Sequence, residues 1–328
     1  MNDNLLEIKK LFVEYTVDEE VVKAVSDLSL NIKKGESLGL VGETGAGKTT
    51  TALSIIGLVP DPPGKIVEGE ILYKNEDLRK YSEKQMRRVR GSEISMIFQD
   101  PMTSLNPVIS VGDQIQEVIL LHKKISRADA TIEAIKTLEL VGIPGSRYDE
   151  YPHQFSGGMK QRIVIACALA CNPNLLIADE PTTALDVTIQ AQVLVLIEKL
   201  KKEFNTSLLM ITHDLGVVAE ICDRVGVMYA GSIVEMGAIR DVYENPLHPY
   251  TKGLFNSLPR LNDLRKRLEP IPGAMPNPTD LSAGCSFAPR CKFKSKECDC
   301  SKPQLLEITS GHLVSCFKVS SIGCDKVE

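Results

Sequence analysis

Gly42-Glu43-Thr44-Gly45-Ala46-Gly47-Lys48-Thr49 directly follows the apolar run Ser37-Leu38-Gly39-Leu40-Val41, and its reading decides the fold. The spacing G-x-x-x-x-G-K-T lets consecutive backbone N–H groups turn inward around phosphate oxygens, where a Cβ would block the approach. The strand before it and the helical run after it, residues 50–58, place the loop at a helix N-terminus, whose dipole favours an anion. Gly42, Glu43, Thr44, Gly45, Ala46, Gly47 and Thr50 are candidate nucleotide contacts beside two residues with specific tasks. Lys48 would reach the β and γ phosphates, and Thr49 would place its hydroxyl on Mg2+.

The 328 residues, 43% of them hydrophobic, suffice for one large core with an appendage or for two domains. A net charge of -5 argues against a general nucleic-acid binder, and the locally basic stretch 79–90 reads as a solvated helix face. No run approaches the ~18 apolar residues of a membrane span. Met1-Asn2-Asp3-Asn4 lacks the basic start of a signal peptide, so a cytoplasmic protein is expected.

Residues 5–15 and 22–32 read as strands of an antiparallel sheet, whereas 94–98, 175–178 and 207–211 are short apolar runs that suit buried parallel strands. Between Phe98 and Asn172 the periodicity turns helical, with 111–121 and 128–140 carrying apolar residues at three- and four-residue spacing. Residues 224–237 read as a hairpin through Ala230-Gly231-Ser232, and prolines from Pro246 to Pro278, Pro259 among them, mark a linker-like stretch. The expected fold is α/β: a parallel phosphate-loop core, an antiparallel β subdomain and a helical subdomain at about 100–170. A boundary near residue 240 separates a nucleotide-binding domain, 1–240, from a small cysteine-rich extension, 241–328.

The run Leu175-Leu176-Ile177-Ala178-Asp179-Glu180 ends in two carboxylates at the carboxyl edge of the sheet. Phosphoryl transfer needs mainly positioning and charge neutralisation. Asp179 would hold Mg2+ and Glu180 would polarise the attacking water.

A second anion-binding helix start, Phe155-Ser156-Gly157-Gly158-Met159-Lys160-Gln161, opens the apolar helix 163–170. This segment resembles the signature motif of ATP-binding cassette (ABC) proteins, usually written LSGGQ, from which Phe155 and Met159 depart. The resemblance implies a head-to-tail pair of cassettes in which Ser156, Gly157 and Gly158 close over ATP held by the partner. Gln99 resembles the Q-loop glutamine that contacts Mg2+ or the water. Ala184-Leu185-Asp186 resembles the D-loop, with Asp186 near the dimer partner, and His213 resembles the switch histidine at the γ-phosphate. Tyr15, an aromatic upstream of the loop, is the candidate for stacking on adenine, with Phe12 as its rival.

The signature variant, Asn245-Pro246-Leu247-His248-Pro249-Tyr250-Thr251 and Gly284-Cys285-Ser286-Phe287-Ala288-Pro289-Arg290-Cys291 are similar to one of two paralogous ATPase subunits of bacterial dipeptide and oligopeptide importers. Related nickel importers share parts of this pattern, and soluble ABC ATPases outside transport are a further alternative. The implied partners are a paralogous ATPase subunit or a second copy, two transmembrane permease subunits and an extracytoplasmic peptide-binding protein. The implied location is peripheral, on the cytoplasmic face of the membrane.

Six cysteines, Cys324 included, crowd the last 44 positions; Cys285, Cys291, Cys298 and Cys316 have the spacing C-x5-C-x6-C-x17-C. Four thiolates can ligate zinc or an iron-sulfur cluster. The resemblance favours a 4Fe-4S cluster over zinc; four ligands by themselves imply no redox role, and a structural staple is the simpler reading. Cys300 and His312 are reserve ligands, the latter if it shares a helical face with Cys316. Cys167 and Cys171, on the helix after the signature, read as core.

Overall fold

The computed structural model describes residues 3–183, 185–257 and 270–319; Ala184 of the D-loop, Pro259 and Cys324 lie outside them. Its strands are β1 (Asn4–Val17), β2 (Glu20–Lys33), β3 (Ser37–Val41), β4 (Gly64–Tyr73), β5 (Glu76–Asp77), β6 (Ile94–Ile97), β7 (Leu175–Asp179), β8 (Ser207–Ile211), β9 (Arg224–Tyr229), β10 (Ser232–Ala238), β11 (Leu306–Thr309) and β12 (His312–Val314). Its helices are α1 (Lys48–Ile55), α2 (Glu83–Val89), α3 (Pro101–Ser104), α4 (Val111–His122), α5 (Arg127–Leu140), α6 (Gly157–Leu169), α7 (Val187–Phe204), α8 (Leu215–Ile221), α9 (Ile239–Glu244), α10 (Pro249–Asn256) and α11 (Glu297–Cys300). The chain divides into two compact units, each assembled from separated segments.

The first unit is built mainly from Tyr73–Thr212. Strands β6, β7 and β8 run parallel, with Ile94 opposite Leu175 and Asp179 opposite Ile211. Every residue of β7 and β8 is buried, which explains their unbroken apolar runs: a strand covered on both faces has no solvent side on which to place polar residues. The expected helical subdomain is present as α3 to α6. Ser110 caps α4 and Ser126 caps α5, each accepting a backbone N–H from an aspartate three residues on. Those bonds satisfy helix-end amides that would otherwise lack an acceptor.

The second unit comprises Glu7–Asn31, Leu38–Leu72 and the chain from His213 onward. Asp18 and Glu19, at φ 48° and 70°, form a two-residue turn that folds β2 back on β1. Strand β3 runs parallel to β9, and β9 returns antiparallel as β10 through Ala230 and Gly231, also at positive φ. Strand β12 pairs with β10, and β11 pairs with β12. The chain beyond residue 240 therefore extends the sheet of the unit that carries the phosphate loop.

Candidate nucleotide site

The phosphate loop lies in the second unit, between the buried strand β3 and helix α1. Gly47 caps α1 in the left-handed conformation at φ 100°, where an added Cβ would meet the Ala24 carbonyl oxygen at 2.3 Å. At Gly45, φ 82°, a Cβ would meet nothing within 4 Å, so the loop keeps an open side there. The first turn of α1 carries no acidic residue and no side-chain cap, an arrangement suited to an anionic ligand. Lys48 is buried, and its Nζ donates to the carbonyls of Gly42 at 2.8 Å and Glu43 at 3.1 Å. Thr44, Gly45 and Thr49 are exposed, and Thr50 is half-buried.

Three contacts from distant sequence support this loop. Gly231 N–H donates to the Ala46 carbonyl at 2.9 Å. Glu43 N–H donates to the Tyr250 hydroxyl at 3.0 Å, and the Glu43 carboxylate accepts from Arg290 Nη1 at 3.0 and 3.2 Å. The sequence stretches around Tyr250 and Arg290 carried the resemblance, yet no role followed from them. Tyr15 is half-buried in β1, its ring packed so closely on Gly64 that a Cβ there would lie 2.6 Å from Cε1; Phe12 is half-buried as well.

In the first unit, β7 ends on Asp179, which is 2% exposed. Glu180 follows at φ 47°, its N–H donating to the Ile211 carbonyl at 2.8 Å. This backbone turn directs the side chain to Gln99, whose Nε2 donates to Glu180 Oε2 at 2.9 Å. Thr183 Oγ1 donates to the same oxygen at 3.0 Å. Gln99 and Glu180, 81 positions apart, thus come together as candidate partners, and Thr183 joins a set from which sequence reasoning omitted it. Asp179 and Gln99 here, and Thr49 in the second unit, offer hard oxygen donors of the kind Mg2+ prefers.

Ser156 caps α6 by accepting the Met159 N–H at 3.4 Å, and Ser156 and Gly157 are exposed. Gly158 faces α7 instead: a Cβ would meet Ile189 Cγ2 at 2.4 Å, so close helix packing by itself requires glycine there. Phe155 is buried under the Arg147 guanidinium, 4.1 Å from its ring centroid, which accounts physically for an aromatic at this motif position. Gln161 is 1% exposed, and neither amide atom has a hydrogen-bond partner among the described residues. Asp186 caps α7 through the Ile189 N–H at 3.0 Å. His213 opens the second unit's last segment as an exposed residue, beside Asp214, which caps α8.

Residues 25–183 match the ABC transporter family, and residues 234–298 match the oligopeptide/dipeptide transporter C-terminal region. The dipeptide transport ATP-binding protein DppD of Bacillus subtilis (strain 168) is 50% identical over 317 residues, 96% of this chain and 95% of its own length. This chain belongs to the ABC peptide-transporter ATP-binding proteins. The oligopeptide transport ATP-binding protein OppD of Escherichia coli (strain K12) is 49% identical over 96% of this chain and 94% of its own. Among solved structures, the ATP-binding cassette MJ0796, a dimer bound to ADP and Pi, superimposes with a TM-score of 0.65 at 27% identity. It covers 72% of this chain and 99% of that one. The activity of this ABC ATPase is ATP hydrolysis.

The cysteine-rich end of the ABC ATPase also lies in the second unit. Cys285, Cys291, Cys298 and Cys316 line one cavity of about 20 Å³. Burial pushes the Cys285 and Cys291 thiols up, and the neighbouring thiols of the set push them further. Four soft donors suit a thiophilic metal. Among the described residues, however, no group of three or more His, Cys, Asp or Glu side chains is arranged to hold a metal ion. Two sequence expectations are corrected. Cys300 is exposed and outside the cavity lining. His312 sits on strand β12, not a helix, and its Nε2 is 2.8 Å from Glu235 Oε1. Cys167, within α6, and Cys171, past its end, are half-buried rather than core residues, and burial pushes the Cys167 thiol up to about 12.

Proposed function

We propose that this chain is the ATP-hydrolysing subunit of a di- and oligopeptide importer. The observation that carries the reading is near-full-length likeness, at 47–50% identity, to proteins named for dipeptide and oligopeptide transport. Two separate permease subunits provide the path; among the described residues of this chain no helix is long and apolar enough to cross a membrane. An extracytoplasmic binding protein delivers the peptide, and a paralogous ATPase subunit or second copy completes a head-to-tail pair on the cytoplasmic face. The dimeric state of the solved cassette supports that pairing.

Within the site, Lys48 and the loop residues from Gly42 to Thr50 hold the phosphates, with the Glu43 amide spent on the Tyr250 hydroxyl rather than on phosphate, and Tyr15 stacks on the adenine. Thr49, Gln99 and Asp179 hold Mg2+, which supplies neutralisation of phosphate charge when bound. Glu180 orients the attacking water, Gln99 senses closure and His213 faces the γ-phosphate. Ser156, Gly157, Gly158 and Asp186 serve the partner's nucleotide; the exposure of Ser156 and Gly157 supports this for the first two. Residues 1–240 form the cassette and 241–328 its extension.

Lys48→Ala is expected to abolish nucleotide binding at micromolar concentrations, because each charge-assisted hydrogen bond lost costs about 1.5–3 kcal/mol. Equilibrium binding of a fluorescent ATP analogue to the full chain checks this. Uptake by the reconstituted transporter, assayed with dipeptides, longer peptides and nickel, tests the solute. Nickel uptake without peptide uptake would overturn the peptide reading.

We further propose that Cys285, Cys291, Cys298 and Cys316 hold a 4Fe-4S cluster, supported by the convergence of four thiols on one cavity. Anaerobically purified protein is expected to be brown, with visible absorption bleached by dithionite. Colourless protein with stoichiometric zinc would sink this assignment in favour of a zinc staple.

A further inference from the structure

Glu43, the second residue of the phosphate loop, is held at three points. Its N–H donates to the Tyr250 hydroxyl at 3.0 Å, its carbonyl accepts from Lys48 Nζ at 3.1 Å, and its carboxylate accepts from Arg290 Nη1. Arg290 is itself fixed: its side chain is 6% exposed, Nε donates to the Pro272 carbonyl at 3.0 Å and Nη2 to the Ile271 carbonyl at 3.4 Å. Its guanidinium also lies over the Tyr229 ring, 5.8 Å from the centroid. A planar fork spread over this many acceptors has little freedom left, so the carboxylate it grips has little either.

The grip reaches the cysteine segment. Tyr229, Tyr250 and Phe287 form one aromatic cluster, with ring centroids 4.6 to 5.5 Å apart. Phe287 also lines the cavity of the four thiols, and Arg290 immediately precedes Cys291. The segment between Cys285 and Cys291 thus supplies both the ring behind Tyr250 and the cation on Glu43.

We propose that Arg290 is a positioning residue for ATP binding, which fixes the phosphate loop through Glu43 and so ties nucleotide affinity to the cysteine segment. This inference rests on the loop being the ATP site. Lys48 Nζ bonds the Glu43 carbonyl and must turn to phosphate when ATP binds, so the placement of Glu43 sets where that cation starts. Loop amides aimed in advance cost no reorganisation at binding.

Binding of mant-ATP to the full chain tests it, with Arg290→Gln, Glu43→Gln and the double variant. Each single change is expected to weaken affinity roughly tenfold, the scale of one charge-assisted hydrogen bond. The double variant should bind no more weakly than either single, because the two changes remove the same contact. In the assembled transporter the KM for ATP should rise while kcat holds. Arg290→Lys keeps the charge without the fork, should fall between, and supplies the same cycle if Arg290→Gln does not fold. Additive losses, or wild-type affinity in Arg290→Gln while Lys48→Ala abolishes binding, would overturn the proposal. Binding that survives Lys48→Ala would overturn the reading of the loop itself.

Discussion

Glu180→Gln is expected to lower ATP turnover by the assembled transporter roughly a hundredfold or more, the range for loss of a positioned general base. Nucleotide affinity should stay near wild type. The expectation rests on how tightly this carboxylate is placed. The left-handed backbone at Glu180 is locked by its N–H bond to Ile211, and one carboxylate oxygen accepts from both Gln99 and Thr183. Glutamine has the same shape, and its amide oxygen can accept both of those bonds. The variant therefore isolates the charge and basicity of the group from its geometry. Steady-state phosphate release, read beside mant-ATP affinity, separates the two. Wild-type turnover in Glu180→Gln would remove Glu180 from the water-polarising role. Thr183→Val offers a gentler comparison: it removes one donor to the same oxygen while the carboxylate keeps its charge.

The parts of this molecule that the sequence made legible are those whose signal is local. Strands β7 and β8 announce themselves because both faces are buried, and the phosphate loop because glycine and lysine positions are fixed by phosphate geometry. Gln99 and Glu180 are recoverable because each closely follows an apolar strand, and β6 and β7 are neighbours in the parallel sheet. What stayed hidden depends on distance along the chain. Arg290 reaches Glu43 across 247 positions and Tyr250 reaches it across 207, and no periodicity encodes such pairs. His312 shows the opposite failure. Its four-residue spacing from Cys316 suggests a shared helical face, but His312 opens strand β12, which ends at Val314, and an extended chain carries residues four apart roughly 13 Å from one another. Its true partner, Glu235, lies 77 positions upstream. The signature and D-loop resemblance assigns Gly158 and Asp186 to a partner subunit, although each has work within its own chain: Gly158 lets α6 pack closely on α7, and Asp186 caps α7.

Glu235→Ala is expected to destabilise the second unit by about 2–5 kcal/mol, because it strips backbone donors inside the fold of their acceptor, at roughly 1–3 kcal/mol for each one left unsatisfied. Glu235 is 0% exposed, at a register shift in β10 where the strand bulges. There its carboxylate accepts the Leu247 N–H at 2.7 Å and the His248 N–H at 2.9 Å, and meets His312 Nε2 at 2.8 Å. Alanine would leave those donors buried without an acceptor. His248 cannot compensate as a cation: burial lowers it to about 4, and its Nδ1 already accepts the Tyr250 N–H. Desolvation pushes the Glu235 carboxyl up, but the His312 contact and the two backbone donors outweigh it and hold the group below the usual carboxylate value. A lowered folded-state pKa has one sign of consequence. The stabilisation is complete above the unfolded value, about 4.3, and is lost as pH falls through the folded one. The gap in denaturation midpoint between wild type and Glu235→Gln, which cannot titrate, should therefore be widest near neutrality and close in acid. A gap that did not change with pH would show that hydrogen-bond shape, not charge, carries the effect. Because His312 belongs to β12 and Leu247 and His248 precede α10, the same change should release the β11–β12 hairpin to protease before the parallel strands open. Proteolytic fragments that begin instead within β7 or β8 would contradict that order of unfolding.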